Sequence, residues 1–561
     1  LRQEASESSR WPKGLLTLTI ALAALAPLAL WFSRVPGLGE FDYLIFYRLL
    51  FYNDFYNSLA MLAALLVALA IPGLRTQAER LAGRLSQYPV RSCVIVFAVF
   101  AFAARLVYQG FPLAMDEYAP LLQARIFAHG DIAITYPPGL LDRMVVPGFQ
   151  GTFILVNHET GQAVSAYWPG LALLMTPFAL FGGEWLLNPL LGAAGLWLIG
   201  DLARQASGRD EARGWAMLAA LACPQYTVNA LSFYAMSGLL TLNLLFLWLL
   251  LRPGWKPAML AGVVGSIALV LHNPVPHALF ALPVWIWLVF DKARRQQLLP
   301  LAIGYLPLTA LLLFGWLALT DSMGLRPVAH ASANIPLAQL WIQKLHSIFV
   351  LPSTGLLTVR SYALWKTLIW TAPGLLLAAC ILRPAAPIQR VLLGTFVLTF
   401  VFYFFVPFDQ GHGWGYRYLH SAWALVPIAA AIFTAQGTQA SRSLVASSVI
   451  AGLLATPMFL WTTRVTISDS IALQPPASRD AKSYVFIANQ PSRYTIDLIR
   501  NYPSDSGRMI RMLGTDVEGD RKLIHQIAPR AELQSADARG STWIAPSPTN
   551  LDPHTYSSIE K

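Results

Sequence analysis

The sequence predicts an all-α polytopic transmembrane bundle that ends in a small extracytoplasmic α/β unit. Three observations predict it. Of the 561 residues, 56% are hydrophobic and only 12% charged, with a mean hydropathy of +0.51. A soluble domain carries about twice that charged fraction, and one or two soluble cores cannot bury so much apolar sequence. Apolar runs of roughly twenty residues, the length that crosses a bilayer core, recur along the chain. After residue 463 the composition turns charged.

A scan for such runs places spans at 14–32, 54–72, 92–109, 186–203, 214–230, 235–251, 258–271, 278–290, 298–319, 363–382, 391–407, 420–436 and 445–463, about thirteen in all. The polar stretch Leu1 to Lys13 precedes the first run, which lacks a small-residue cleavage motif and is expected to be retained. Every second loop is basic: Arg75, Arg80, Arg84 and Arg91 in 73–91, Arg204, Arg209 and Arg213 in 204–213, Arg252 and Lys256 in 252–256, Lys292, Arg294 and Arg295 in 291–295, and Arg383 and Arg390 in 383–390. The positive-inside rule makes these loops cytoplasmic, with the N-terminus inside and the tail outside. Segments 110–185, 320–362 and 464–561 are then external. The run 168–181, short and interrupted by Pro169 and Pro177, is expected to lie in or dip into the outer interface, because a full span there would invert the charge pattern. The chain divides into two extra spans with a cytoplasmic loop (1–91), a membrane core (92–463) and a tail (464–561).

In the tail, Tyr484 to Ile487 and Met509 to Leu513 read as strands flanking a polar helix-like stretch, and residues beyond about Ser535 read as irregular. No solenoid period or inverted repeat is visible. Cys93, Cys223 and Cys380 lie singly in apolar segments, which implies neither a disulfide nor a zinc framework. The net charge of +11 does not mark a nucleic-acid binder, since the basic residues cluster between apolar runs as topology signals.

The strongest local signal is the adjacent pair Asp116 and Glu117, just past the third span. Carboxylates at a membrane surface are costly to bury without a task, although two acids also suit a solvated helix N-terminus. The run DEYAPLLQARIFAHGD, Asp116 to Asp131, resembles the first extracytoplasmic loop of the GT-C superfamily of membrane glycosyltransferases. It is similar to bacterial proteins of the aminoarabinose-transferase type and, more distantly, to protein O-mannosyltransferases. Arg125 stands eight residues after Glu117, as an Arg commonly does in that family. Asn157 to Gly170 is similar to the family's G-x-x-x-S-x-Y-P-P-G stretch, with Trp168 in place of the first Pro. Trp185 to Leu190 looks like the start of its next span. Gly411 to Leu419, containing His412, Trp414, Arg417 and Tyr418, looks like its late outer loop. Arg500-Asn501-Tyr502-Pro503 fits a recurring turn of its terminal region. Where many relatives carry Thr-Arg-Pro, this chain reads Leu271-His272-Asn273-Pro274, a departure that leaves His272 without an assigned role.

The resemblance implies transfer of a sugar from a polyprenyl-phosphate donor to an envelope acceptor (glycolipid, polysaccharide or protein) at the outer face of a bacterial inner membrane. Inversion needs one carboxylate base, and a departing lipid phosphate needs a cation, for which the Arg fork is suited. Asp116 is the expected base, with Glu117 second. Arg417 leads for the phosphate, followed by Arg125 and Arg143. His129, His158 and His412 are accessory candidates, as are Tyr136, Tyr167, Trp414 and Tyr418 for sugar or lipid contacts; interface polar residues and an aromatic belt are the plainer readings. A divalent cation at Asp116 and Glu117 stays open, as some relatives use one and others do not. The rival functional class is a multi-pass transporter or flippase, which would place its polar residues along a path through the bilayer.

Overall fold

The computed structural model describes residues 2–32, 48–325, 351, 353–406, 412–477, 481–490, 495–503 and 508–545. Most of the expected outer segment 320–362 and the last residues of the tail lie outside the described residues.

Helices dominate, and every expected span falls on helical sequence, although not as uniform through-helices. Among the described residues, six are long and apolar enough to cross a membrane: Gly14–Phe32, Pro89–Val107, Glu184–Ser207, Arg295–Ser322, Pro387–Phe404 and Ser441–Ala472. Two more arise if bent pairs each count as one span. Asp54–Ala70 turns by 97° into Pro72–Gln87, and Leu356–Trp370 turns by 106° into Pro373–Ile381. In both pairs the second helix opens on a proline, which cannot continue the preceding hydrogen-bond ladder but suits a first helical turn. Met236–Leu250, Trp255–Leu269, Pro274–Phe290 and Leu425–Ala435 are apolar but shorter.

Several expectations need correction. Residues 73–91 are not a loop: most of them form the helix Pro72–Gln87, whose Ala78, Ala82 and Leu85 are buried at helical spacing. It packs so closely on Glu211–Leu221 that a Cβ on Gly214 would meet the Ala82 carbonyl oxygen at 1.8 Å. The expected span 214–230 is broken at Cys223 into Glu211–Leu221 and Pro224–Asn229, again at a proline. The last helix runs on to Ala472, past the expected end at 463. The run 168–181 forms a short helix, Gly170–Ala179.

Loops that the charge count assigns to one side of the membrane do touch one another. Ser86 donates to the Asp210 carbonyl at 2.6 Å, Gln389 to the Ala206 carbonyl at 2.9 Å, and Gln297 to the Arg252 carbonyl at 2.8 Å. Segments assigned to the other side also meet. Arg143 donates to the Leu513 carbonyl at 2.9 Å, which ties the region 110–185 to the tail.

Within 110–185 a small antiparallel sheet, order β1-β3-β2, joins Ile134–Thr135 (β1), Ile154–Val156 (β2) and Gln162–Ser165 (β3). Gly161 makes the turn into β3 with φ +72°, and a Cβ there would lie 1.9 Å from the Tyr136 carbonyl oxygen; only glycine meets both conditions. His412–Gly413 (β4) and Gly415–Tyr416 (β5) form a minimal hairpin ahead of Arg417.

The tail is a four-stranded sheet, order β7-β6-β9-β8, formed by Lys482–Ala488 (β6), Met509–Gly514 (β7), Glu532–Asp537 (β8) and Gly540–Ala545 (β9). The two expected strands are present. The helix, Val517–Ile527, follows β7 rather than preceding it. Residues 535–545 belong to a β8–β9 hairpin rather than irregular chain, and the remainder of that expected stretch lies outside the described residues. β6 and β7 run parallel, so a crossover must join them, and that crossover carries Arg500, Asn501 and Tyr502. One face of β6, Tyr484 and Phe486, belongs to the same apolar cluster as Met115, Tyr118 and Leu122 beside the acidic pair.

Candidate active site

The acidic pair opens the helix Met115–Ala128, with Asp116 and Glu117 in the first turn against its positive end. Pro120 lies inside this helix and offers no N–H to the Asp116 carbonyl. Adjacent helical positions point apart, and the two carboxylates have separate surroundings.

Glu117 is completely buried. One carboxylate oxygen accepts the Leu113 N–H at 2.5 Å and the other accepts the Phe233 N–H at 2.9 Å. Burial pushes its carboxyl up to about 7, against the pull of those two N–H groups and of Tyr108. It ties the entry of the acid-motif helix to the Asn229–Tyr234 region, and its oxygens do not face the cavity that Asp116 lines.

Asp116 is 15% exposed and lines a cavity of about 60 Å³ with Met236, Leu239, His272, Asn273, Pro276, Tyr403, Arg417, Tyr418 and Ser421. Arg417 Nη1 lies 3.0 Å from one Asp116 oxygen. The Tyr167 hydroxyl donates to the other at 2.5 Å. Burial raises the Asp116 carboxyl, but Arg417, then His272 and Tyr167, hold it below the usual carboxylate range.

Each partner is placed by local structure. Gln123, two turns along the acid-motif helix, accepts the Ser165 N–H at 3.0 Å and so anchors the end of β3. The Ser165 hydroxyl accepts the Tyr167 N–H at 3.2 Å. The Tyr167 ring stacks on His272, centroids 4.3 Å apart. His272 and Asn273 sit in the break between Trp255–Leu269 and Pro274–Phe290, where Asn273 caps the second helix by accepting the Val275 N–H at 3.1 Å. The break is held from outside by Gly170, whose N–H donates to the Val270 carbonyl at 2.9 Å. Arg417 follows β5, with its guanidinium 4.6 Å from the centre of the Tyr234 ring, and Tyr418 stacks on Tyr403 at 4.3 Å.

Of the residues expected at a site, Asp116, Arg417, Tyr167 and Tyr418 come together. The others do not join them. Arg125 pairs with Glu184 at 2.7 Å and lies over the Tyr502 ring at 4.1 Å. Arg143 holds the tail sheet. The Tyr136 hydroxyl donates to the Asn501 carbonyl at 3.0 Å. His158 is exposed, 3.0 Å from the Gln150 side-chain oxygen, and His129 is exposed beside the Arg125 carbonyl. The Trp414 indole is buried and donates to Tyr108. His412 is described only in its backbone pairing with Tyr416. His272 and Asn273, which the sequence reading left without a role, and Tyr403, which it did not name, line the cavity. The interruption of an apolar run by His-Asn-Pro was the signal for the first two.

As a cation site the acidic pair does not fit, because both Glu117 oxygens are occupied by backbone N–H groups away from Asp116. Among the described residues no three His, Cys, Asp or Glu side chains gather into a metal-binding group. His277 is buried within Pro274–Phe290 between Asn243 and Tyr305, each 2.7 Å away.

No protein-family model matches the chain, and no curated protein matches it. Among solved structures the chain is similar to ArnT from Cupriavidus metallidurans. The crystal structure of that protein bound to undecaprenyl phosphate matches with a TM-score of 0.49 at 14% identity, covering 81% of this chain and 98% of that one. Its apo form matches with a TM-score of 0.44 at 13% identity, covering 80% and 97%.

Proposed function

We propose that this chain is a membrane glycosyltransferase that moves a sugar from a polyprenyl-phosphate donor to an envelope acceptor at the outer face of the membrane. The observation that carries the reading is the meeting of Asp116 and Arg417, 301 residues apart in sequence, in one cavity. An inverting transfer needs a base for the acceptor and an anion-stabilising cation for the departing phosphate, one on each face of the anomeric carbon within a single pocket. The outward orientation rests on the Lys/Arg distribution.

In the proposed reaction the acceptor O–H or N–H attacks the anomeric carbon from the face opposite the phosphate. The new bond to that carbon forms as the bond to the phosphate oxygen breaks. The phosphate leaves with the electron pair, stabilised by the Arg417 guanidinium, and the acceptor proton passes to the Asp116 carboxylate. In the donor-free chain Arg417 and Tyr167 keep Asp116 a weak base. A donor phosphate competes for Arg417 through its bidentate fork. Its arrival releases one Asp116 oxygen and restores basicity when a substrate is in place. Tyr167, still holding the other oxygen, fixes the direction of the free one.

The test is Asp116→Asn, which keeps size and loses basicity. Mass spectrometry of envelope glycans is expected to show loss of the transferred sugar with expression and folding retained. Full transfer by that variant contradicts the reading.

A further inference from the structure

We infer that the C-terminal sheet domain positions the active-site base: Arg500, Asn501 and Tyr502 form a clasp that fixes the entry of the acid-motif helix. The inference rests on the proposed catalytic role of Asp116.

The clasp sits on the crossover between the parallel strands β6 and β7. Buried Arg500 donates to the carbonyls of Pro112 and Leu113, to the latter at 3.1 Å, and its guanidinium lies 4.5 Å from the centre of the Phe111 ring. Leu113 in turn donates its N–H to Glu117. The Asn501 carbonyl accepts the hydroxyls of Tyr118 and Tyr136, each at 3.0 Å. The Asn501 side chain pairs both ways with the Arg511 backbone of β7, N to Oδ1 at 2.8 Å and Nδ2 to O at 2.9 Å. Tyr502 packs edge-on against Tyr118 at 5.2 Å and takes Arg125 over its face.

The residues before and after Asp116 are therefore gripped by the crossover, and the crossover is bonded to the sheet. Burial, with a smaller contribution from Asp116, pushes the carboxyl of Asp497, three residues before Arg500, up to about 7. A free loop end would let Asp116 drift by the ångström that costs a pre-organised site much of its rate. Arg500 and Asn501 act through Leu113 and Tyr118, so they are positioning residues.

Hydrogen exchange on the full-length protein in detergent separates this role from general stability. Arg500→Ala is expected to speed amide exchange across 111–118 about tenfold while β6 keeps its protection, and Arg500→Lys to recover part of the difference. The double variant Tyr118→Phe with Tyr136→Phe removes only the two hydroxyls on Asn501 and is expected to speed the same amides about threefold. In transfer assays Arg500→Ala is expected to lower turnover at least tenfold with the donor KM within threefold. Unchanged exchange over 111–118 in both Arg500→Ala and the tyrosine pair overturns the inference. So does equal loosening of β6 and 111–118 in the tyrosine pair. Failure of the wild-type chain to transfer sugar would contradict the proposed function but leave the exchange result standing as the test of the clasp.

Discussion

Asp116 and Glu117 are neighbours in sequence with opposite duties. Asp116 faces a cavity, a cation and a phenol, whereas Glu117 faces two backbone N–H groups. Glutamine at position 117 would keep one acceptor oxygen and turn an NH2 toward the second N–H. The expected loss is about 1–3 kcal/mol, the usual cost of a buried donor left without an acceptor. Its pH dependence has a defined sign. The folded chain holds the Glu117 proton up to about 7, against 4.5 for an ordinary glutamate. The stabilisation is therefore full below about 4.5 and is lost as pH rises through 7. The thermal-midpoint gap between wild type and Glu117→Gln should narrow from pH 5 to pH 8; a gap that widens would contradict this account. The sequence named Asp116 and Arg417 from local motifs alone. It kept Arg125 and Arg143 as candidates behind Arg417 because nothing local reveals that Glu184 and the Leu513 carbonyl already hold them.

Among the elements, the break between Trp255–Leu269 and Pro274–Phe290 matters most to the site. It puts His272 and Asn273 into the cavity and seats His272 against Tyr167. Gly170 backs it closely: a Cβ there would lie 2.6 Å from the Val270 oxygen and 3.0 Å from the Leu271 Cα. Backbone cannot swing aside as a long side chain does, so Gly170→Val must displace the break. Overpacking of this kind costs about 1–3 kcal/mol. Sugar transfer is expected to fall at least tenfold although position 170 is not in the cavity, and transfer at the wild-type rate would show that the break's placement is unimportant. Helices were readable from their apolar content, but their bends were not. Hydropathy registers 54–72 as one run and says nothing of the 97° turn at Ile71–Pro72. The β8–β9 hairpin was missed because Glu532–Asp537 is mostly exposed and polar, without the buried alternation that reveals a strand.

At the scale of the molecule, the basic loops contact one another and the acidic-motif region contacts the tail. The Lys/Arg distribution assigns the first grouping to the inside and the second to the outside. A single cysteine at exposed His158 is expected to react with a membrane-impermeant maleimide in intact cells, and one at exposed Glu79 only after permeabilisation. The reverse pattern would invert the topology and place the cavity at the cytoplasmic face.

In the proposed reaction a donor phosphate replaces Asp116 as the partner of Arg417. Equilibrium binding of a polyprenyl phosphate to the purified protein and to two variants is the test. Arg417→Ala, checked for folding because it strands a buried carboxylate, is expected to weaken binding at least tenfold. Asp116→Asn removes the competing anion and is expected to tighten it. Unchanged affinity in Arg417→Ala, or weaker binding in Asp116→Asn, would contradict the claim.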